Sequence, residues 1–257
     1  MARRALLILL SLMLTLSVIA SAAAAPRLAA QASDTPSLDA RLFAASPGVY
    51  IARDWRILPR AQYYSAVGGQ DSFLWSSLEP NEGQYNWIAL DRFIAAETAQ
   101  GKKASFAIST YDGRIQGGIA TPLWVYNQWY GGDPHAVITA NNGWLIPRYW
   151  DGHYLENYAN FVRALAARYD NDARVTWIQM GVGLYGETQP CDDQDDQFVK
   201  NAMFADFGMT ADWQYADKWA ETVNAITDIY ASAFTHKPLF LMYAPTFARA
   251  CERLVTT

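Results

Sequence analysis

The chain has 257 residues and a formal net charge of −5, and it contains ten tryptophans and fifteen tyrosines. This acidic balance argues against a nucleic-acid partner, because phosphate binding requires a basic patch and the sequence shows none. Aromatic rings stack on the apolar faces of pyranose rings, so the composition favours a carbohydrate partner.

The N-terminal region has the features of a secretory signal. Arg3 and Arg4 precede an apolar run over residues 5–20, which is followed by two Ala-x-Ala sites, one within residues 22–25 and one ending at Ala32. The run is short for a bilayer span and ends in small residues. We expect residues 1–32 to be the signal peptide and cleavage region, with no stable membrane anchor after cleavage. The mature protein would be secreted or extracytoplasmic, at the cell surface or in the periplasm.

A polar N-terminal segment, residues 33–47, is expected to follow the signal. Residues 48–257 then form the folded part of the chain. The mature chain of about 215 residues is the size of one domain, so we predict no second domain.

The first clear structural unit lies between Asp71 and Ser109. Residues 72–75 are predicted as a strand, and Asn86 is a plausible N-cap for a helix with apolar residues at helical spacing. Gly101 provides a C-terminal stop, and residues 103–108 read as the next strand. This order predicts a right-handed parallel βαβ crossover.

The segment 109–152 is a long connection rich in aromatic residues. Connections of this length in a compact domain are usually functional, so we expect it to form a wall of a substrate cleft. Its aromatic residues are Tyr111, Trp124, Tyr126, Trp129, Tyr130, Trp144, Tyr149 and Trp150.

The rest of the chain continues the alternation of strands and helices. Helices are predicted over residues 154–169 and near 213–234, and strands over 175–180 and 239–243, with an acidic loop before the second helix. This pattern is typical of an α/β protein with a parallel sheet, and no G-x-G-x-x-G nucleotide fingerprint interrupts it.

Glu187 is the principal catalytic candidate. It follows the strand 175–180 after a run containing Gly181, Gly183 and Gly186. Active sites of parallel α/β proteins gather at the C-terminal ends of the strands. The structural alternative is that Glu187 caps the next helix or pairs with an arginine.

Four further side chains are candidates for substrate binding. Tyr111, Trp124 and Tyr185 fall in loops at strand ends, where an aromatic ring can meet a sugar, and Gln189 is a weaker polar candidate. Packing in the core is the alternative for each aromatic ring. Glu79 could be a second catalytic carboxylate, but a structural role at the lip of the cleft is favoured.

Cys191 and Cys251, the two cysteines, follow adjacent predicted strands. They could form a disulfide in an oxidising compartment or remain free thiols, and both alternatives stay open.

Other reactive groupings give no sign of a metal or cofactor. Four aspartates between residues 192 and 196 lack the spacing of an EF-hand. The three histidines lack a zinc-type spacing, and no Gly-x-Ser-x-Gly motif marks an esterase. We therefore expect a protein without a metal ion or cofactor.

Two motifs give the chain a resemblance to a known family. The motif W-S-S-L-E-P-N-E-G-Q-Y at residues 75–85, followed by L-D at 90–91, resembles the second strand and loop of β-galactosidase-like (β/α)8 glycoside hydrolases. The motif T-P-L-W-V at 121–125 looks like the Trp-bearing loop after their third strand. The resemblance covers roughly residues 48–245. It implies a (β/α)8 TIM-barrel fold, with Glu187 as the general acid/base at the end of the fourth strand.

The sequence departs from this family in two ways. Many members place Asn directly before the acid/base Glu, whereas this chain has Gly186. In the family the nucleophile ends the seventh strand, but fourteen residues follow Tyr243, which lies in about the fifth. A retaining mechanism needs two carboxyl groups about 5–5.5 Å apart, and the family's second carboxylate has no counterpart here.

Three explanations follow from the second departure. The chain could be the N-terminal fragment of a longer enzyme, a truncated product without activity, or a distinct fold that shares about five β/α units. The expected function is that of a secreted glycoside hydrolase acting on O-glycosidic bonds of oligo- or polysaccharides. The alternative is a non-catalytic carbohydrate-binding protein on a truncated barrel, and a cell-surface structural protein is a weaker third.

Overall fold

The computed structural model describes residues 46–53, 57, 59, 66–112, 120–130, 137–141, 143–192 and 196–244. These residues belong to one unit, residues 35–257. The expected signal region, the polar segment up to residue 45, and Cys251 lie outside the described residues. Within the described ranges, no helix combines the length and the apolarity needed to cross a membrane.

A parallel sheet of five strands forms the centre of the fold. Its strands, in spatial order, are β1 (Val49–Ala52), β2 (Ala66–Leu74), β3 (Lys103–Ser109), β6 (Val175–Gln179) and β7 (Leu239–Phe240). Spatial order follows chain order throughout, as expected when each crossover places the next strand at the same side of the sheet. A separate antiparallel hairpin consists of β4 (Val137–Thr139) and β5 (Leu145–Pro147).

Six helices are described. They are α1 (Trp75–Leu78), α2 (Ile88–Ala99), α3 (Leu123–Tyr130), α4 (Gly152–Tyr169), α5 (Asp196–Phe207) and α6 (Asp212–Ala233). Asp151 caps α4, because its carboxylate accepts hydrogen bonds from the backbone N–H groups of His153 and Tyr154.

The main core lies between the outer face of the sheet and the helices. Phe106 of β3 is fully buried and meets the ring of Tyr169 on α4 edge-on at 5.5 Å. Helices α4 and α6 are joined by a 2.8 Å hydrogen bond between the hydroxyls of Tyr158 and Tyr230. Large aromatic side chains contribute much of the stability here, because each removes roughly 150–250 Å² from water.

Contacts across the inner face show that the sheet is curved. The hydroxyl of Tyr50 on β1 donates to Oγ1 of Thr176 on β6 at 2.9 Å, and its ring meets Trp177 at 5.3 Å. Strands β1 and β6 are separated in the sheet by β2 and β3. Their side chains can meet only across a concave face, which is the curvature of a barrel.

The predicted parallel α/β alternation is confirmed, with corrections to individual elements. Trp75, predicted at the end of a strand, instead opens the helical turn α1. Trp87 rather than Asn86 is the N-cap of α2, although the Asn86 side chain accepts a 3.4 Å hydrogen bond from the N–H of Ile88. Strand β1 was not predicted, and α5 occupies part of the segment predicted as an acidic loop.

Candidate active site

The loops that follow β3, β6 and β7 meet at one rim of the sheet. Leu184 forms a parallel bridge with Tyr111, and Glu187 forms a parallel bridge with Met242. The candidate acid therefore lies at the C-terminal end of the parallel strands, between the loops after its two neighbouring strands.

A tight turn fixes the position of Glu187. The backbone N–H of Gly186 donates to the carbonyl of Gly183, and the N–H of Glu187 donates to the carbonyl of Leu184, both at 2.9 Å. Tyr185 has a φ of 56° and Gly186 a φ of 84°. Positive φ is costly for a side chain such as tyrosine, and strained backbone of this kind is concentrated at functional sites.

The environment of Glu187 favours its protonated form. The side chain is half-buried, and burial raises the pKa of its carboxyl, while the positive charge of Arg53 acts in the opposite direction. Arg53 directly follows β1 and is exposed; its backbone N–H donates to the carbonyl of Gln70 at 2.7 Å. A carboxyl with a raised pKa holds a proton nearer neutral pH, as a general acid must.

Two buried amides lie on the inner face of the sheet below this rim. Nε2 of Gln70 on β2 donates to Oε1 of Gln179, the last residue of β6, at 3.4 Å. Nε2 of Gln179 also donates to the sulfur of Met242 at 3.9 Å. Neither residue stands out in the sequence, because a single glutamine in a strand does not reveal which face of the sheet it occupies.

The four predicted substrate-binding residues have different environments. Tyr185 and Gln189 are half-buried and flank Glu187 in the same turn. Trp124 is also half-buried; its indole N–H donates to the carbonyl of Glu79 at 3.0 Å, and its ring packs edge-on against Trp75. All three retain some exposed surface, and their contact with a substrate stays a prediction.

Tyr111 is the exception among these four residues. Its side chain is 0% exposed, and its carbonyl accepts hydrogen bonds from the N–H of Tyr185 and from the hydroxyl of Ser109. A ring without exposed surface cannot stack on a sugar, so the structure does not support the predicted contact. Tyr111 instead belongs to the core beneath the rim.

The surroundings of Glu79 agree with the structural role that was predicted for it. It is 2% exposed, and its carboxylate accepts hydrogen bonds from the indole N–H of Trp75 at 2.8 Å and from the N–H of Gly83 at 2.9 Å. Burial raises the pKa of Glu79, and the two hydrogen bonds offset part of this effect. Both oxygens hold the loop after α1, and the side chain has almost no exposed surface, which supports the structural role.

Of the predicted disulfide and the acidic segment, the structure describes Cys191, Asp192 and Asp196. Cys191 is buried, and its sulfur lies 3.8 Å from a carboxylate oxygen of Asp196. Cys251 lies outside the described residues, so the pairing stays a prediction. In the described part of the chain, no group of three or more His, Cys, Asp or Glu side chains is arranged to hold a metal ion.

Comparison with known proteins decides the family. A family model described as β-galactosidase matches residues 51–237. The chain belongs to this β-galactosidase family. The resemblance seen in the sequence motifs is thereby confirmed, and the match includes the Glu187 turn. No curated protein matches the chain.

Two solved structures are among those similar to the chain. The catalytic domain of β-amylase from Paenibacillus polymyxa aligns with a TM-score of 0.56 and 12% identity, covering 80% of this chain and 71% of that one. A β-galactosidase from the psychrophilic Marinomonas ef1 aligns with a TM-score of 0.48 and 15% identity, covering 77% of this chain and 37% of that one. The chain thus spans little more than a third of the Marinomonas enzyme.

The fold class is established by the β-amylase match together with the sheet topology. The chain has the (β/α)8 TIM-barrel architecture in incomplete form, with five parallel strands among its described residues. This agrees with the sequence-based prediction of about five β/α units.

Proposed function

We propose that this chain is the N-terminal portion of a secreted β-galactosidase-type glycoside hydrolase that cleaves O-glycosidic bonds of oligo- or polysaccharides. Its membership of the family supports the reaction class. The observation that carries the assignment is the half-buried Glu187 carboxyl, with its raised pKa, on a rigid turn at the C-terminal rim.

In this proposal Glu187 acts as the general acid/base. Its protonated carboxyl donates a proton to the glycosidic oxygen as the bond to the sugar breaks. The resulting carboxylate then removes a proton from the water that releases the sugar from the enzyme. Trp124, Tyr185 and Gln189 would contact the substrate beside the reacting bond.

A retaining reaction also needs a nucleophilic carboxylate about 5–5.5 Å from the acid/base. In β-galactosidase-like enzymes this residue ends the seventh barrel strand, whereas the sheet of the described residues has five strands. We propose that further β/α units of a longer protein provide the nucleophile.

Export is the other part of the proposal. The basic start, the apolar run and the two Ala-x-Ala sites of residues 1–32 support secretion. In an oxidising compartment, Cys191 and Cys251 would be able to form the disulfide.

The acid/base assignment can be tested with substrates that differ in their leaving group. In the complete protein, Glu187→Gln should reduce hydrolysis of an alkyl β-galactoside by about 10²–10⁴-fold, because this leaving group needs protonation. Hydrolysis of a dinitrophenyl β-galactoside, whose leaving group needs no proton, should fall much less in its first step. Glu82→Gln, at an exposed carboxylate, is the matched control and should retain activity. Near wild-type activity of Glu187→Gln on both substrates would refute the assignment.

A non-catalytic carbohydrate-binding protein is the second candidate. The sheet of the described residues favours it, because its five strands lead to Glu187 but do not extend to the seventh strand, which bears the family's nucleophile. Galactose binding measured by calorimetry, together with no turnover of the dinitrophenyl substrate by any product of the gene, would support this candidate over the enzyme.

A further inference from the structure

Gln70 and Gln179 form a buried amide pair on the inner face of the sheet. They are 9% and 3% exposed, and they lie on β2 and β6 with β3 between them. Their side chains therefore meet across the concave face, where barrels are usually filled by branched apolar residues. Two amides at this depth are costly unless their hydrogen-bonding groups are used.

The hydrogen bonds of this pair are long and weak. The contact between Nε2 of Gln70 and Oε1 of Gln179 is 3.4 Å, at the limit of a hydrogen bond. Among the described residues, Nε2 of Gln179 reaches one acceptor, the thioether sulfur of Met242 at 3.9 Å. An amide nitrogen has two donor hydrogens, and a thioether is a poor acceptor. Gln179 thus keeps a donor hydrogen without a strong acceptor among the described residues.

This donor lies next to the catalytic turn. The point where a Cβ on Gly186 would sit is 3.2 Å from Nε2 of Gln179. Met242, which covers the amide, is bridged to Glu187 through the backbone and is 45% exposed. Because its side chain is unbranched and flexible, Met242 can turn aside and open the amide to the rim beside Glu187.

We propose that Gln179 is a specificity-determining residue that donates a hydrogen bond to a hydroxyl of the sugar whose glycosidic oxygen Glu187 protonates. Gln70 positions the amide by donating to its carbonyl oxygen, which turns Nε2 toward Gly186 and the cleft. The sugar hydroxyl replaces the sulfur of Met242 as the acceptor. This inference rests on the proposed function, because it assigns a role in recognising the same substrate.

The test measures sugar binding to the full chain. Calorimetry would give the affinities of galactose and of its 2-, 3-, 4- and 6-deoxy analogues. Loss of one hydrogen bond corresponds to about a three- to tenfold loss of affinity. We expect wild type to show such a loss for one deoxy sugar. Gln179→Met keeps the side-chain length and removes the amide. It should bind galactose about as weakly as wild type binds that deoxy sugar, and it should lose no further affinity when the same hydroxyl is absent.

Controls separate recognition from folding. Gln70→Met should weaken galactose binding in the same direction, because Gln179 loses the group that orients it. Gln197→Met makes the same chemical change at an exposed position on α5 and should leave binding unchanged. If Gln179→Met fails to fold, Gln179→Leu decides the matter, since its apolar side chain has neither the donor nor a charge.

The outcomes distinguish this inference from the proposed function. If wild type binds galactose and the Gln179 variants bind each of the five sugars with wild-type affinity, the inference is overturned and the proposed function stands. If wild type binds none of these sugars, the inference is overturned, while the proposed function is decided separately by the Glu187→Gln comparison in the complete protein. A loss of affinity in Gln179→Met that is equal for galactose and every analogue would indicate a purely structural role and would also overturn the inference.

Discussion

The carbonyl oxygen of Ile108 on β3 lies 2.9 Å from the point where a Cβ on Gly186 would sit. Gly186 also has a φ of 84°, in the left-handed region that glycine alone adopts without strain. Many β-galactosidase-like enzymes have Asn at the position directly before the acid/base Glu. In this chain the close approach of β3 excludes any side chain there, so the turn before Glu187 has a geometry of its own.

Replacing Gly186 should therefore be more costly than strain in φ alone. We expect Gly186→Ala to lower the free energy of unfolding by about 2–4 kcal/mol, since the new methyl group must displace β3 backbone. Gly101→Ala is the control: its φ is 72°, but no atom lies within 4 Å of the added Cβ. That variant should lose about 1 kcal/mol. Urea unfolding would measure both, and equal losses would contradict the steric argument.

Glu187 should reduce the stability of the protein at neutral pH. Burial raises the pKa of its carboxyl in the folded state, so the folded protein binds a proton more tightly than the unfolded chain does. Stability from this group is greatest at low pH and falls as the pH rises from the unfolded pKa through the folded one. Glu187→Gln should hence be slightly more stable than wild type at pH 7 and equal to it at pH 4. Thermal unfolding at both pH values would check this, and a destabilised variant at pH 7 would contradict it.

Arg53 should tune the proton affinity of Glu187. Its positive charge favours the carboxylate and lowers the pKa of Glu187 against the effect of burial. Arg53→Gln should raise this pKa further, and in an active enzyme it would move the alkaline limb of the rate profile to higher pH. A carbon-13 NMR titration, with the Glu187 signal assigned from Glu187→Gln, would measure the shift. An unchanged or lowered pKa would show that the two side chains do not interact.

Asp170 at the end of α4 holds the connection between α6 and β7. Its carboxylate accepts hydrogen bonds from the backbone N–H groups of Thr235, His236 and Lys237, and from the imidazole of His236 at 2.8 Å. Burial acts to raise the pKa of Asp170, but these hydrogen bonds outweigh it and hold the pKa below the ordinary 3.8. The stabilisation is complete above the unfolded pKa and is lost as the pH falls through the folded one.

Asp170→Asn should test this connection. The amide cannot accept from all of these donors, so we expect a loss of about 2–3 kcal/mol at pH 7 and a weaker dependence of stability on pH below 3.8. Asp228→Asn, at an exposed position on α6, is the control and should change neither quantity. Chemical unfolding between pH 2.5 and 7 would measure both variants. Parallel stability curves for wild type and Asp170→Asn below pH 4 would contradict the role of the carboxylate.

Local patterns were sufficient to predict the elements that position Glu187. The apolar run and the glycines after it predicted a buried strand that ends before Glu187. The structure has this strand, β6, and it is buried on both faces. The apolar spacing of α4 likewise predicted the buried side of that helix. By contrast, β1 has four residues with exposed ends, and α5 buries only three residues behind an acidic start. Neither gives a strong periodic signal.

The remaining features of the site depend on contacts distant in the sequence. Tyr111 is buried because its backbone pairs with Leu184, and this pairing follows from the relative position of β3 and β6. A register shift between Ala104 and Phe106 affects the same two strands. Gln70 and Gln179 are separated by 109 positions and meet only because the sheet is curved. Such geometry is set by tertiary packing, which residue patterns along one strand do not encode.

The edge strand β7 should make the chain prone to self-association. It is the last strand of the described sheet, and the run Phe240–Tyr243 keeps 38–52% of each side chain exposed. An apolar edge with unpaired backbone groups is a template for pairing with another chain. Leu241→Lys should lower the sedimentation-derived mass at high concentration. Leu123→Lys, at a leucine on a helix that is 49% exposed against 38% for Leu241, should not. A wild-type chain that stays monomeric at several hundred micromolar would show that this edge is covered in solution.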